Sequence, residues 1–512
     1  MNEDNILDHQ NDIPVEPLPV KEEISFSKLD VVVSIISLVL GFLFIRFAVC
    51  NITGFITTIV FDLIATLGIF YVKKSGYKIS KKNLINIIVI YLFSLVYSIT
   101  ANNFIKFLNS VFLILQVTYT MYRLCDDSSK SPRFYYYAQM KSLFSYTFAN
   151  FDKCPKAIIK TVFKGNHGGN LRWIILGLIV ATPITFIVAT LLVSADEGIE
   201  KILDNFNTWF MNNLNVTLLL QILFGFLIGC NIFSMMYSNI YKKNFSPYND
   251  TTYEIKFNNW RVCPSIMIYS ALTPMCMLYI LYVVSQIGYF TGAFSGNLYE
   301  GYTYSEYARR GFFELTAISC INLGVIFLAN LLCKRLGNGY YDKKPLALKI
   351  YNLIFSAFTI FIIATAMSKM FLYIGEYGLT RLRVYTSWFM ILLALIFIIM
   401  MVSEFKEFNI SSIFKIAFTI MFGILCFCRV DRVIINTNIS LYERNQIEHL
   451  NIDDLQYLLS YDAYAPILEY DYNHNNSTEN SSLEEQYLNI PKYEKYNIST
   501  IEFIKTYEKY YK

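Results

Sequence analysis

Apolar runs of nearly bilayer length recur along the whole chain, and they constrain its fold more than any other feature. A hydrocarbon core about 30 Å thick takes about 20 residues of helix, because in lipid only a helix or a closed barrel satisfies its own backbone. About eleven stretches approach that length: 29–50, 52–72, 83–100, 103–122, 171–194, 215–240, 265–290, 311–333, 348–374, 382–403 and 412–430. Apolar residues make up 55% of the chain and charged residues 16%, against roughly 45–50% and about 25% in soluble domains. That balance excludes a disordered chain, a disulfide-knotted toxin and an ordinary cytosolic enzyme. The expected fold is an all-α, polytopic membrane bundle of about eleven transmembrane helices with a small, mainly helical C-terminal tail.

Charge sets the expected orientation. Lys and Arg gather in alternate connectors: five lysines between Lys73 and Lys82, eight basic residues in 123–170, four in 241–262 and five in 334–349. Connectors 51, 101–102 and 195–214, which alternate with those, contribute only Lys201. Cytoplasmic loops collect Lys and Arg, so these four segments are read as cytoplasmic, with the N-terminus inside and the C-terminus outside the plasma membrane. The divisions that follow are an acidic cytoplasmic segment 1–28, a four-helix membrane part 29–122, a cytoplasmic amphipathic insertion 123–170, a seven-helix core 171–430 and an acidic extracytoplasmic tail 431–512. The first apolar stretch is too long for a signal-peptide core and lacks an A-x-A pattern, so it reads as a retained anchor. In the insertion, Asp152 and Pro155 predict the start of a short helix. Basic residues between apolar spans argue for lipid and against nucleic acid. The ten cysteines lie in or near spans and cytoplasmic loops, so neither a disulfide framework nor a zinc site is expected.

Four strings carry a recognisable pattern: Leu191 to Asp196; Ala293 to Gly296 running into Tyr302 to Leu315; Tyr377 to Val384; and Leu455 to Leu468, with its Leu-Ser-Tyr-Asp-Ala core. Together they resemble the uncharacterised bacterial membrane family catalogued as domain of unknown function 4173, related to 4153, over about residues 170–470. After Asp196 this chain has Glu197-Gly198-Ile199 where the family pattern has an early aromatic. The resemblance implies a multi-pass helical protein and no known activity.

On the expected topology the first three strings emerge on the outer face. They place Asp196, Glu306, Tyr307, Arg309, Arg310, Glu314, Lys369, Glu376, Arg381 and Arg383 in one candidate cluster. Each charge inside a span costs at least about 2.5–3.5 kcal/mol, and helical spacing offers partners: Glu306 with Arg310, and Arg310 with Glu314, are i,i+4 pairs. The cluster reads equally as a site for an external ligand, gripped through arginine forks, and as a latch between helix ends. Asp62 lies in mid-span with Arg46 on the preceding helix, a candidate intramembrane polar pair. P-loop, HExxH and GxSxG motifs are absent; no catalytic residue, cofactor or metal is expected. The leading functional expectation is a non-enzymatic, outward-facing binding, sensing or scaffold protein of the cell envelope, with an extracytoplasmic protein or envelope ligand as partner. A secondary transporter and an outer-face transferase are the alternatives.

Overall fold

In the computed structural model, the residues described are 26–50, 52, 54–125, 135–162, 216–241, 258–294, 312–335, 344–450, 452–474, 481–491 and 494–511, with single positions between 177 and 188. Among them every regular element is a helix. The protein is an all-α membrane bundle. Nine of these helices are long and apolar enough to cross a bilayer. They are α1 (Lys28–Val49), α2 (Phe55–Lys74), α4 (Asn103–Leu124), α7 (Val216–Tyr241), α8 (Ser265–Phe294), α9 (Phe312–Leu332), α10 (Leu346–Tyr377), α11 (Arg381–Phe405) and α12 (Ile410–Phe427). A shorter apolar helix, α3 (Lys81–Ser94, resumed as Val96–Ile99), lies between α2 and α4. The expected 171–194 span falls outside the described residues, so the count of eleven is not confirmed.

Polar side chains fix where the helices begin. Ser27 and Asp30 form a reciprocal capping box at α1, Asn102 accepts from the Phe104 and Ile105 amides at α4, and Thr380 and Asn409 cap α11 and α12. These caps satisfy amides that a helix start leaves orphaned. At the other extreme α10 stops at Gly378, whose φ of 71° is left-handed backbone, open to glycine at least cost.

The helices share two apolar cores. One gathers α1–α4, α7 and α12 around Phe61, Tyr71, Phe93, Leu113 and Phe422. The other gathers α8–α11 around Leu272, Phe355, Phe358, Ile362 and Phe397. The Trp388 indole N–H bonds the Met421 carbonyl at 2.9 Å across the junction of α11 and α12. In the first core α1 and α7 touch backbone to backbone. A Cβ on Gly41 would stand 2.3 Å from the Gly225 carbonyl oxygen and 2.3 Å from the Gly229 nitrogen. Gly225 and Gly229 are a G-x-x-x-G pair, the spacing that lets membrane helices approach closely.

Antiparallel order separates two ends. At one, the Tyr77 hydroxyl donates to the Ile240 carbonyl at 2.8 Å, Lys334 N–H to the Cys263 carbonyl at 2.9 Å, and Lys344 pairs with Glu404. The described parts of the four basic connectors lie here. The insertion docks at this lysine-rich end as α5 (Tyr135–Met140, widening into a π-helical turn Lys141–Tyr146) and α6 (Lys153–Val162). Asn150 holds it to α7 through the Ser234 and Ser238 hydroxyls at 3.1 and 2.8 Å. The opposite, arginine end carries residues 52 and 54, 100–102, 378–380 and 428–431. There the chain continues into α13 (Val430–Glu443), α14 (Ile452–Leu458), α15 (Tyr461–Asn473), α16 (Ser481–Leu488) and α17 (Ile498–Tyr511). Tail residues Ile467, Leu468 and Phe503 belong to the same buried cluster as Phe93 and Phe422. The tail is thus an extension of the first membrane core.

Candidate functional site: a carboxylate–arginine junction under the tail

The chain leaves α12 through Cys428 and Arg429, and Arg429 takes a left-handed φ of 51°. A non-glycine residue pays for that conformation, and here the turn aims two oppositely charged neighbours at different targets. Asp431, in the first turn of α13, is fully buried. Its carboxylate is gripped by both faces of one guanidinium fork, Arg381 Nε at 2.7 Å and Nη2 at 2.5 Å. It also accepts from the Asn102 amide at 3.0 Å and from the Ser460 N–H and hydroxyl at 3.1 and 2.6 Å. Five donors from α4, α11 and the tail converge on one side chain. Stripped of them, a buried carboxylate would cost several kcal/mol. Asn102 also donates to the Tyr385 hydroxyl at 3.0 Å, so the residue that caps α4 helps fix α11 as well.

Arg429 turns the other way, into the tail. It donates to Glu502 at 2.8 Å and to the Ser499 hydroxyl at 2.8 Å, and its Nε stands 3.7 Å from Asp462. Arg432 reaches the same Glu502 at 2.5 Å. Burial pushes Glu502 up, but hydrogen bonds from the two guanidiniums outweigh it and hold its carboxyl below the usual range. Asp462 is fully buried and accepts from the Thr100 hydroxyl at 2.5 Å, the Ala101 N–H at 3.0 Å and the Ser499 hydroxyl. The Asn497 amide donates to the carbonyls of Tyr97 and Thr100, each at 2.8 Å. Most of these bonds join tail to bundle, and those of Ser499 to Asp462 and Arg432 to Glu502 brace the tail internally.

Two further contacts explain the Tyr377 to Val384 string. Asn438 of α13 brackets Leu379, accepting its N–H at 2.6 Å and donating to its carbonyl at 2.9 Å. A Cβ on Gly378 would fall 2.7 Å from the Asn438 oxygen, so glycine is needed there twice over. Arg383 donates to the Tyr377 carbonyl at 3.0 Å, also bonds that of Gly378, and lies 4.0 Å over the Tyr373 ring. It closes the C-terminus of α10.

Of the expected cluster, Arg381 and Arg383 sit in this junction. Glu314 and Glu376 are exposed, and Lys369 is half-buried along α10. Asp196, Glu306, Tyr307, Arg309 and Arg310 lie outside the described residues. The Arg46 guanidinium lies 6.0 and 5.7 Å from the Phe42 and Phe47 rings, and one Asp62 carboxylate oxygen is buried with no hydrogen-bond partner. Arg429 and Asp431, at the centre of the junction, lie outside the expected cluster. Sequence reasoning missed Asn102, Asn438, Ser460, Asp462 and Glu502 as participants. The signal available was the Leu-Ser-Tyr-Asp-Ala core itself, whose Ser460 and Asp462 are two of the tail's anchors. Among the described residues no group of His, Cys, Asp and Glu is arranged to hold a metal.

A family model described as Domain of unknown function (DUF4153) matches residues 87–470. The matched stretch runs from α3 into α15 and contains Thr100, Asn102, Arg381, Asp431, Ser460 and Asp462. It begins well upstream of residue 170, taking in spans that carry none of the four strings. No curated protein and no solved structure matches the chain.

Proposed function

The chain belongs to the family described as Domain of unknown function (DUF4153), and from that premise we propose that it is a non-enzymatic binding, sensing or scaffold protein of the cell envelope whose arginine end faces outward. The strings at 302–315 and 377–384 extend the membership to kinship with domain of unknown function 4173. The observation that carries the reading is the use made of the charges. Arg381 and Arg429 are engaged by Asp431, Asp462 and Glu502 of the tail, and Arg432 braces Glu502 within it, so that these charges hold a docked cap. The lysine-rich connectors supply the sidedness through the positive-inside rule.

The test is impermeant thiol labelling of whole cells, with exposed Cys50, Cys320 and Cys428 replaced by serine. The Glu376→Cys variant should label in intact cells and the Ser80→Cys variant only after permeabilisation. The reverse pattern would overturn the orientation. Arg381→Ala, still inserted, should sensitise cells to envelope stress; unchanged growth there would count against the outward binding role.

Asp62 favours a second reading. A mid-span carboxylate with one oxygen buried and unbonded is a default mark of an ion or proton path. Reconstituted protein that moves a solute, and stops doing so in Asp62→Asn, would replace the scaffold reading with secondary transport.

A further inference from the structure

We propose that the bundle face beneath the tail is an oxyanion-binding site, made for a phosphate- or carboxylate-bearing ligand, and that the tail's own Asp462 fills it in this structure. The inference rests on the tail being a docked cap, and it holds whichever side of the membrane that cap lies on.

The donors around Asp462 come largely from the bundle. Thr100 offers its hydroxyl and Ala101 its backbone N–H, while the Arg429 Nε, buried and without a hydrogen-bond partner among the described residues, stands 3.7 Å away as an ion pair from the turn after α12. The Thr100–Asn102 loop leads directly into the N-terminus of α4, a helix of 22 residues, whose dipole adds partial positive charge at the same place. A second observation is independent of that loop. Lys106, one turn further into α4, is 2% exposed, and among the described residues no hydrogen bond reaches its ammonium. The carboxylates that act on it electrostatically are Glu494 and Asp462, both on the tail.

Two basic side chains of the bundle side, Lys106 and Arg429, therefore face the tail carboxylates Asp462, Glu494 and Glu502. Lifting the tail would leave those cations and two aimed donors facing a half-dry mouth. Buried charge in that state demands an anion. Any oxyanion that enters must displace Asp462, so ligand binding and tail docking compete, and ligand converts a capped protein into an uncapped one.

The experiment uses the full chain in phosphatidylcholine nanodiscs, where both faces are accessible, so that a failure of orientation in the labelling experiment does not touch it. Inorganic phosphate is the probe, and amide hydrogen exchange of residues 498–511 reads tail release. Phosphate should speed that exchange in the unaltered protein. Asp462→Asn, lacking the internal competitor, should bind phosphate about tenfold more tightly, and Arg429→Gln should abolish the response. If phosphate is silent but nanodiscs containing phosphatidylglycerol release the tail in an Arg429-dependent way, the oxyanion is a lipid headgroup, which also upholds the proposal. No release by either, or release that survives Arg429→Gln, overturns it. Because the unaltered protein carries the first arm, a variant that fails to fold does not rescue the idea.

Discussion

Each end of the bundle buries a carboxylate, and the two are satisfied in different ways. At the lysine-rich end Asp30 accepts the Tyr71 hydroxyl at 2.5 Å and the Tyr241 hydroxyl at 3.0 and 3.1 Å, and caps its own helix through Ser27. Its partners are neutral, and they tie α1 to α2 and α7 within one core. At the arginine end Asp431 takes a full guanidinium fork plus three more donors, drawn from α4, α11 and the tail. Tyrosine hydroxyls suffice to stitch neighbouring helices. Fastening a tail and two cores across a helix mouth takes an ion pair.

That contrast predicts a ranking. Asp431→Asn should be the most damaging change, because it removes the charge of a fully buried carboxylate that faces five donors. Since Arg381 keeps about a third of its side chain in contact with solvent, the loss should sit near the low end of a broken buried pair, about 3 kcal/mol, readable as early proteolysis of the tail and a lowered melting temperature. A loss no greater than that of Asp30→Asn would break the comparison. Asp30→Asn should cost about 1–3 kcal/mol, the range for an unsatisfied buried hydroxyl partner, and should loosen α7 without freeing the tail. Gly41→Ala should cost about 1–3 kcal/mol by overpacking the α1–α7 contact, again with the tail still docked in hydrogen exchange.

A gentler effect is expected at Glu502, which is partly exposed. Its carboxyl is held below the ordinary range when docked. Its contribution is therefore complete above the free value of about 4.3 and disappears as pH falls through the lower docked value. Tail protection should stay flat from neutral pH to about 5 and decline only below about 4; Glu502→Gln should flatten that acid limb while lowering protection at neutral pH. The smallest effect belongs to Glu376→Ala, an exposed site expected to change stability by less than about 0.5 kcal/mol.

Span length and composition were enough to read the fold class, because the bilayer imposes both. Arg381 and Arg383 were legible as charges too costly to stand alone at a span's edge. Their partners were not. Asp431 meets Asn102 and Ser460 across long stretches of chain, and helical periodicity carries no information at such separations. Asp462 sits in a tail that reads as a short soluble helix, and nothing in its local sequence says that its carboxylate is spoken for by Thr100. The Gly225–Gly229 spacing was visible in the sequence, but its partner Gly41 was not, since a close contact takes two helices and the pattern lies on one.

The seam between α1 and α7 bears on how the protein is made. With backbones in contact at Gly41, Gly225 and Gly229, α1 has no finished neighbour on that flank until α7 leaves the ribosome. At roughly 5–20 residues per second this means tens of seconds in which the Gly41 flank of α1 lacks the helix it packs against. The seam therefore closes only after α7 has entered the bilayer, by association of two spans already in lipid.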